Sequence, residues 1–105
     1  MPSDPFVLVL TTLPLESDAE QFASQLVEEK LAACVNILPA MRSVYRWKGG
    51  VERADERQLV IKTTEASVST LESRICQLHP YDVPEVVVLA IDSGSAAYLS
   101  WLSDK

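Results

Sequence analysis

Residues 31–63 read LAACVNILPAMRSVYRWKGGVERADERQLVIKT, and they restrict the fold more than any other stretch. Two runs rich in β-branched and aromatic residues flank a polar centre containing Gly49-Gly50, the pattern of a hairpin. Its first run, Ala33 to Arg46, would extend roughly 45 Å at about 3.3 Å per residue. Strands usually hold about 5–6 residues. A hairpin of that length overhangs the body of a 105-residue chain, so its apolar side chains need cover from elsewhere. Val35, Ile37, Met41, Tyr45 and Trp47 share one parity, and Cys34, Leu38, Ala40 and Val44 share the other. Pro39 cannot donate a ladder hydrogen bond, so the strand is expected to bend or bulge there. On the return, Gln58 to Thr63 reads as a strand with Leu59 and Ile61 inward.

The flanking segments are shorter. Phe6 to Thr12 is apolar without alternation, as in a central strand covered on both faces. Ser17 is the expected cap of a helix, with Glu20 completing a capping box. Ala19, Phe22, Ala23, Leu26, Val27 and Leu31 then form one apolar face. Thr64 or Ser67 caps a second helix, whose face is Val68, Leu71, Ile75 and Leu78. It stops before Pro80, because the residue preceding a proline is pushed out of the helical region. Pro84 to Asp92 reads as a last apolar strand. Gly94-Ser95 opens a short terminal helix carrying Tyr98, Leu99, Trp101 and Leu102.

The whole chain, residues 1–105, is read as one domain. The order β-α-β-β-α-β plus a final helix predicts an α+β, ferredoxin-like sandwich with a long hairpin between its second and third strands. Both main helices would cover one sheet face. The apolar first and last strands require cover on the other face too, and further copies of the chain in cyclic symmetry supply it most simply. The net charge of -6 opposes binding to nucleic acid or anionic lipid, both of which need clustered Lys and Arg. The N-terminus lacks the pattern of a signal peptide and no apolar run approaches a membrane span, so a cytoplasmic protein is expected. Cys34 and Cys76 then read as reduced, buried, inert thiols.

Five motifs carry a resemblance: LAACVNILP (31–39), SVYRWKG (43–49), LVIKT (59–63), HPYDVPEV (79–86) and YLSWL (98–102). Together they resemble the CutA family of divalent-cation-tolerance proteins, over essentially the whole chain. The resemblance implies a tight homotrimer with a PII-like architecture, in which the long hairpins pair between neighbours. It also implies binding of copper and other divalent cations, a link to metal tolerance, and no catalytic activity. No tightly bound cofactor is expected beyond Cu2+ or another divalent cation. Leu78 and Thr11 stand where some members carry a second His and a Cys, which argues against a high-affinity soft-metal site here.

His79, the only histidine, has two readings: a metal ligand, or a helix C-cap favoured by the helix dipole. Glu52, Asp55 and Glu56 are placed at or near the hairpin's far end, with Glu85 after Pro84. Carboxylates suit hard cations. Glu56 and Glu85 match positions usually acidic in the family and read as part of an inter-subunit cleft, with Lys62 as their counter-charge. The alternative is a solvated tip with one structural ion pair. Tyr45, Trp47, Tyr81, Tyr98 and Trp101 read as interface anchors or as a stacking platform for a small ligand. Catalysis has little support. There is no Ser-His-Asp order, phosphate-cradling glycine loop or HExxH motif. The loop after the first strand, TTLPLESD, has no arginine for the phosphate chemistry of acylphosphatases. An RNA-recognition role would need aromatics on the central strands and a basic surface. The chain is therefore read as a homotrimeric divalent-cation-binding protein that is not an enzyme. A PII-like regulatory module that binds a metabolite or a partner protein and a structural trimeric scaffold are the alternatives.

Overall fold

The computed structural model describes residues 5–104. Strand β1 (Phe6–Pro14) is followed by helix α1 (Ala19–Glu28), strands β2 (Cys34–Trp47) and β3 (Gly50–Thr64), helix α2 (Val68–Leu78), strand β4 (Val87–Ala90) and helix α3 (Ala96–Ser103). One 3-10 turn, Glu65–Ser67, leads into α2. All four strands lie in one antiparallel sheet ordered β2-β3-β1-β4, as a split βαβ arrangement demands.

On β1, Val7, Val9, Thr11 and Leu13 share a face and are at most 3% exposed. In register with them are Thr63, Ile61, Leu59 and Arg57 of β3. Phe22 and Leu26 of α1 and Leu71 and Ile75 of α2 close over this face and complete the core. The i, i+4 spacing within each helix puts those residues on one stripe.

The ends of α1 are set by specific bonds. The N-cap is Asp18 and not Ser17: Asp18 Oδ1 accepts from the Gln21 N–H at 3.0 Å, the third residue of the helix. The Ser17 N–H is already spent on the Pro14 carbonyl, closing the turn before the cap. At the other end, Leu31 N–H donates to Leu26 O and Lys30 N–H to Val27 O. That is a Schellman closure, with Lys30 at φ 62° in the left-handed position where glycine is usual.

The long hairpin is present and turns at Lys48-Gly49, both with positive φ (49° and 81°), between the paired residues Trp47 and Gly50. Two positive φ values in a two-residue loop match the twist of the flanking strands. A bulge lies between Ile37 and Ala40, at Pro39. Its consequence goes beyond a bend. Val35 and Ile37 stand opposite Ile61 and Leu59, on the core face. Past the bulge, Met41, Ser43, Tyr45 and Trp47 stand opposite Glu56, Ala54, Glu52 and Gly50. That is the parity of Gln58 and Val60, so the one extra residue moves the odd-numbered side chains to the other face.

β1 ends at Pro14, opposite Glu56, so the rest of the hairpin continues as a two-stranded ribbon and draws the molecule out to 49 × 25 × 24 Å. Two sequence expectations are corrected here. The last strand is only Val87–Ala90, because Pro84 to Val86 stay in the connection and only Val87 to Ala90 pair with β1. Cys76 is exposed and Cys34 only half-buried. Cys76 follows the buried Ile75 by one residue, about 100° further round α2, which turns it to solvent.

Candidate functional site

Apart from His79, the expected site residues fall into two groups. Trp47, Glu56, Tyr81 and Glu85 line one cavity of about 560 Å³, together with Thr12, Ser43, Val44, Tyr45, Asp82 and Val83. Lys62, Tyr98 and Trp101 lie elsewhere. Lys62 Nζ sits 3.4 Å from the Tyr98 hydroxyl and 5.6 Å from its ring centre, and the Tyr98 and Trp101 rings are 5.5 Å apart. Within one chain Lys62 is therefore not the counter-charge of Glu56. Six residues of one strand separate them, about 20 Å of extended chain.

The cavity forms where β1 stops and β3 runs on. The α2–β4 connection crosses this corner, and His79 anchors it. His79 caps α2 with extended dihedrals (φ -80°, ψ 140°), as the following proline requires. Its Nδ1 accepts from the Tyr81 N–H at 3.0 Å, so Nε2 carries the ring proton and donates to the Thr12 carbonyl at 2.5 Å. The ring packs edge-on to Phe22 at 6.2 Å and is 8% exposed. Both nitrogens are engaged, so ligation of a metal by His79 would require breaking one of these bonds. The geometry is that of the capping reading.

With the connection fixed, Tyr81 reaches across to β3 and its hydroxyl donates to Glu56 Oε2 at 2.9 Å. Glu56 is 6% exposed and sits beside Pro14, at the base of the ribbon; the expectation that it lies near the far end is corrected. Burial, then the bond to Glu56 and the negative charge of that carboxylate, push the Tyr81 phenol up to about 12. It therefore stays a donor across the physiological range. The second carboxylate is fixed by a residue that the sequence reading passed over. Gln58 Nε2 donates to the Thr11 carbonyl at 2.7 Å and to Glu85 Oε2 at 3.2 Å. Alternation along β3 puts Gln58 on the face of Glu56, the signal by which it was findable. Asp55, in contrast, pairs with Arg42 at 3.1 Å on the exposed ribbon, as the structural reading of the acidic run has it.

The cavity wall thus carries three carboxylates (Glu56, Asp82 and Glu85) and three aromatic rings (Tyr45, Trp47 and Tyr81), with no Lys, Arg or His among the lining residues. Among the described residues, no three His, Cys, Asp or Glu side chains come close enough to hold a metal ion. One chain therefore supplies oxygen donors and negative potential but no closed metal cage.

The model of the CutA1 divalent ion tolerance protein family matches residues 7–105. The chain belongs to the CutA1 family. It is 48% identical over 97 residues to the divalent-cation tolerance protein CutA of Thermus thermophilus, an alignment covering 92% of this chain and 94% of that one. It is 43% identical over 100 residues to a chloroplastic CutA protein of Arabidopsis thaliana, covering 95% of this chain and 55% of that protein. The solved Thermus thermophilus structure superposes with a TM-score of 0.91 at 47% identity, over 94% of this chain and 96% of that chain. CutA1 membership accounts for the βαββαβ order and the long hairpin together, and it supports a role in divalent-cation tolerance. No helix among the described residues is long and apolar enough to cross a membrane.

Proposed function

We propose that the protein serves divalent-cation tolerance as a cytoplasmic homotrimer that binds cations, copper among them, at the Glu56–Tyr81–Glu85 cleft, without catalysis. One observation carries this reading. A buried carboxylate, Glu56, is held in place by a neutral donor in a cavity that contains two further carboxylates and no basic side chain. An unpaired buried charge costs several kcal/mol, and a bound cation offsets that cost. The trimer supplies what a single chain lacks. Val87, Val88 and Leu89 of the edge strand β4 are 43–46% exposed, and Val51 on the ribbon is more than half exposed. An isolated two-stranded ribbon is marginal in water, and a neighbour laid against it would both cover these residues and wall the cleft. The second reading, a PII-like module for a small metabolite, draws support from the size of the cavity, which exceeds the needs of a bare ion. Nucleic acid and membranes are not among the proposed partners.

Isothermal titration of Cu2+, Zn2+ and Mn2+ into the assembled protein tests the site. Micromolar to millimolar binding that weakens about tenfold or more in Glu56→Gln and Glu85→Gln supports it. Equal binding in wild type and both variants would place the cation elsewhere.

A further inference from the structure

The geometry points to the cleft as a receptor for a small organic cation, an alkylammonium compound, in addition to metal ions. This inference rests on the reading of the cleft as the ligand site. A volume of about 560 Å³ falls within the range of pockets that enclose small organic molecules, about 300–1,000 Å³. A hydrated ion would fill only part of it.

The lining chemistry narrows the ligand class. Three carboxylates with no Lys, Arg or His among the lining residues repel anions. Glu56 is more than nine-tenths buried; Tyr81 occupies its Oε2, and no described hydrogen bond or ion pair occupies Oε1. The ion pairs formed by the described residues, Arg42–Asp55 and Arg74–Glu29, do not include it. A carboxylate oxygen without a cation, at the wall of a cavity, is complementary to an ammonium N–H.

The aromatic rings separate an organic cation from a bare metal ion. Tyr45, Trp47 and Tyr81 line the same cavity, and an ammonium group gains from the face of an aromatic ring, best of all from Trp. Trp47 already attracts a cation in this structure: Lys48 Nζ lies 6.0 Å from its ring centre. A metal ion would need further ligands from a neighbouring chain, because the described residues of one chain do not bring three together. Apolar wall from Val44 and Val83 suits the methylene or methyl groups of an alkylammonium ion.

The probes are putrescine and tetramethylammonium, with 1,4-butanediol as a neutral counterpart of putrescine, titrated calorimetrically into the assembled protein. Binding of either cation, at least tenfold tighter than that of the diol, supports the inference. The affinity is expected to fall about tenfold in Glu56→Gln and about three- to tenfold in Trp47→Ala. Glu56→Gln keeps an oxygen to accept from Tyr81, and circular dichroism of both variants establishes that they fold. If neither cation binds at about 10 mM, or the diol binds as well, or both variants bind like wild type, the inference is overturned. Cu2+ or Mn2+ binding that persists while the amines fail would leave the metal-binding proposal standing. Amine binding without metal binding would overturn that proposal and not this one.

Discussion

Two threonines on the core face of the sheet allow a paired test of the packing. Thr11 and Thr63 are both 0% exposed and face α1 and α2. Thr63 Oγ1 donates to the Leu31 carbonyl at 2.8 Å, whereas Thr11 Oγ1 has no partner. Thr11 lies opposite Leu59, which is itself 0% exposed, and its hydroxyl is buried without a hydrogen-bond partner. An unsatisfied buried hydroxyl costs about 1–3 kcal/mol in proteins. Thr11→Val keeps the volume and the β-branched preference for a strand, and it replaces that hydroxyl with a methyl group. The expected gain is about 1–2 kcal/mol, or roughly 4–8 °C per kcal/mol in a domain of this size. Thr63→Val removes a made bond and leaves a carbonyl unpaired, for an expected loss of about 1 kcal/mol. Thermal unfolding of both variants at one fixed protein concentration is the assay, since assembly couples stability to concentration. A Thr11→Val protein less stable than wild type would show that the hydroxyl has a partner and would refute this assignment of the core.

Further outcomes follow from the same structure. In a spectrophotometric titration Tyr81 should ionise near pH 12, a step that Tyr81→Phe removes. Because the folded phenol is raised above its unfolded value of about 10, its stabilisation is complete below that pH and is lost as pH climbs toward 12; Tyr81→Phe should flatten this decline. The same substitution should cost about 1 kcal/mol at neutral pH, the usual value for a bond to a charged group discounted for a ring that keeps 36% of its surface exposed. Leu89→Glu should fold yet sediment at a lower mass than wild type, since Leu89 is 44% exposed on the edge strand. Leu59→Glu should fail to fold at all, and recovery of a native assembly from it would contradict the core assignment.

The element order was legible from the sequence because each element carries its own local signal. Apolar spacing marks α1 and α2, His79-Pro80 ends α2, and Pro39 marks the bulge. Leu59 and Ile61 were assigned inward from alternation alone, and both are fully buried. What escaped was relational. A bulge can be read from Pro39, but its effect on the face of Tyr45 and Trp47 depends on counting partners across the ladder. The acidic run at 52–56 reads as one feature, yet the structure sends Asp55 to Arg42 and Glu56 to Tyr81. Lys62 and Glu56 share a face of β3, but pairing depends on distance along the strand as well as on parity. The partners of Glu56 and Glu85 lie 25 and 27 residues away in the chain, beyond any local pattern.

In the proposed mode of binding, cations enter the corner between β1, β3 and the α2–β4 connection, and His79 holds this corner in shape without ligating them. Anomalous diffraction from crystals soaked in Mn2+ or Cu2+ tests it most directly. A peak is expected at about 2.0–2.6 Å from a carboxylate oxygen of Glu56 or Glu85, with His79 still bonded to Thr12 and to the Tyr81 N–H. A peak on a His79 nitrogen, with one of those bonds broken and no metal on either glutamate, would contradict it.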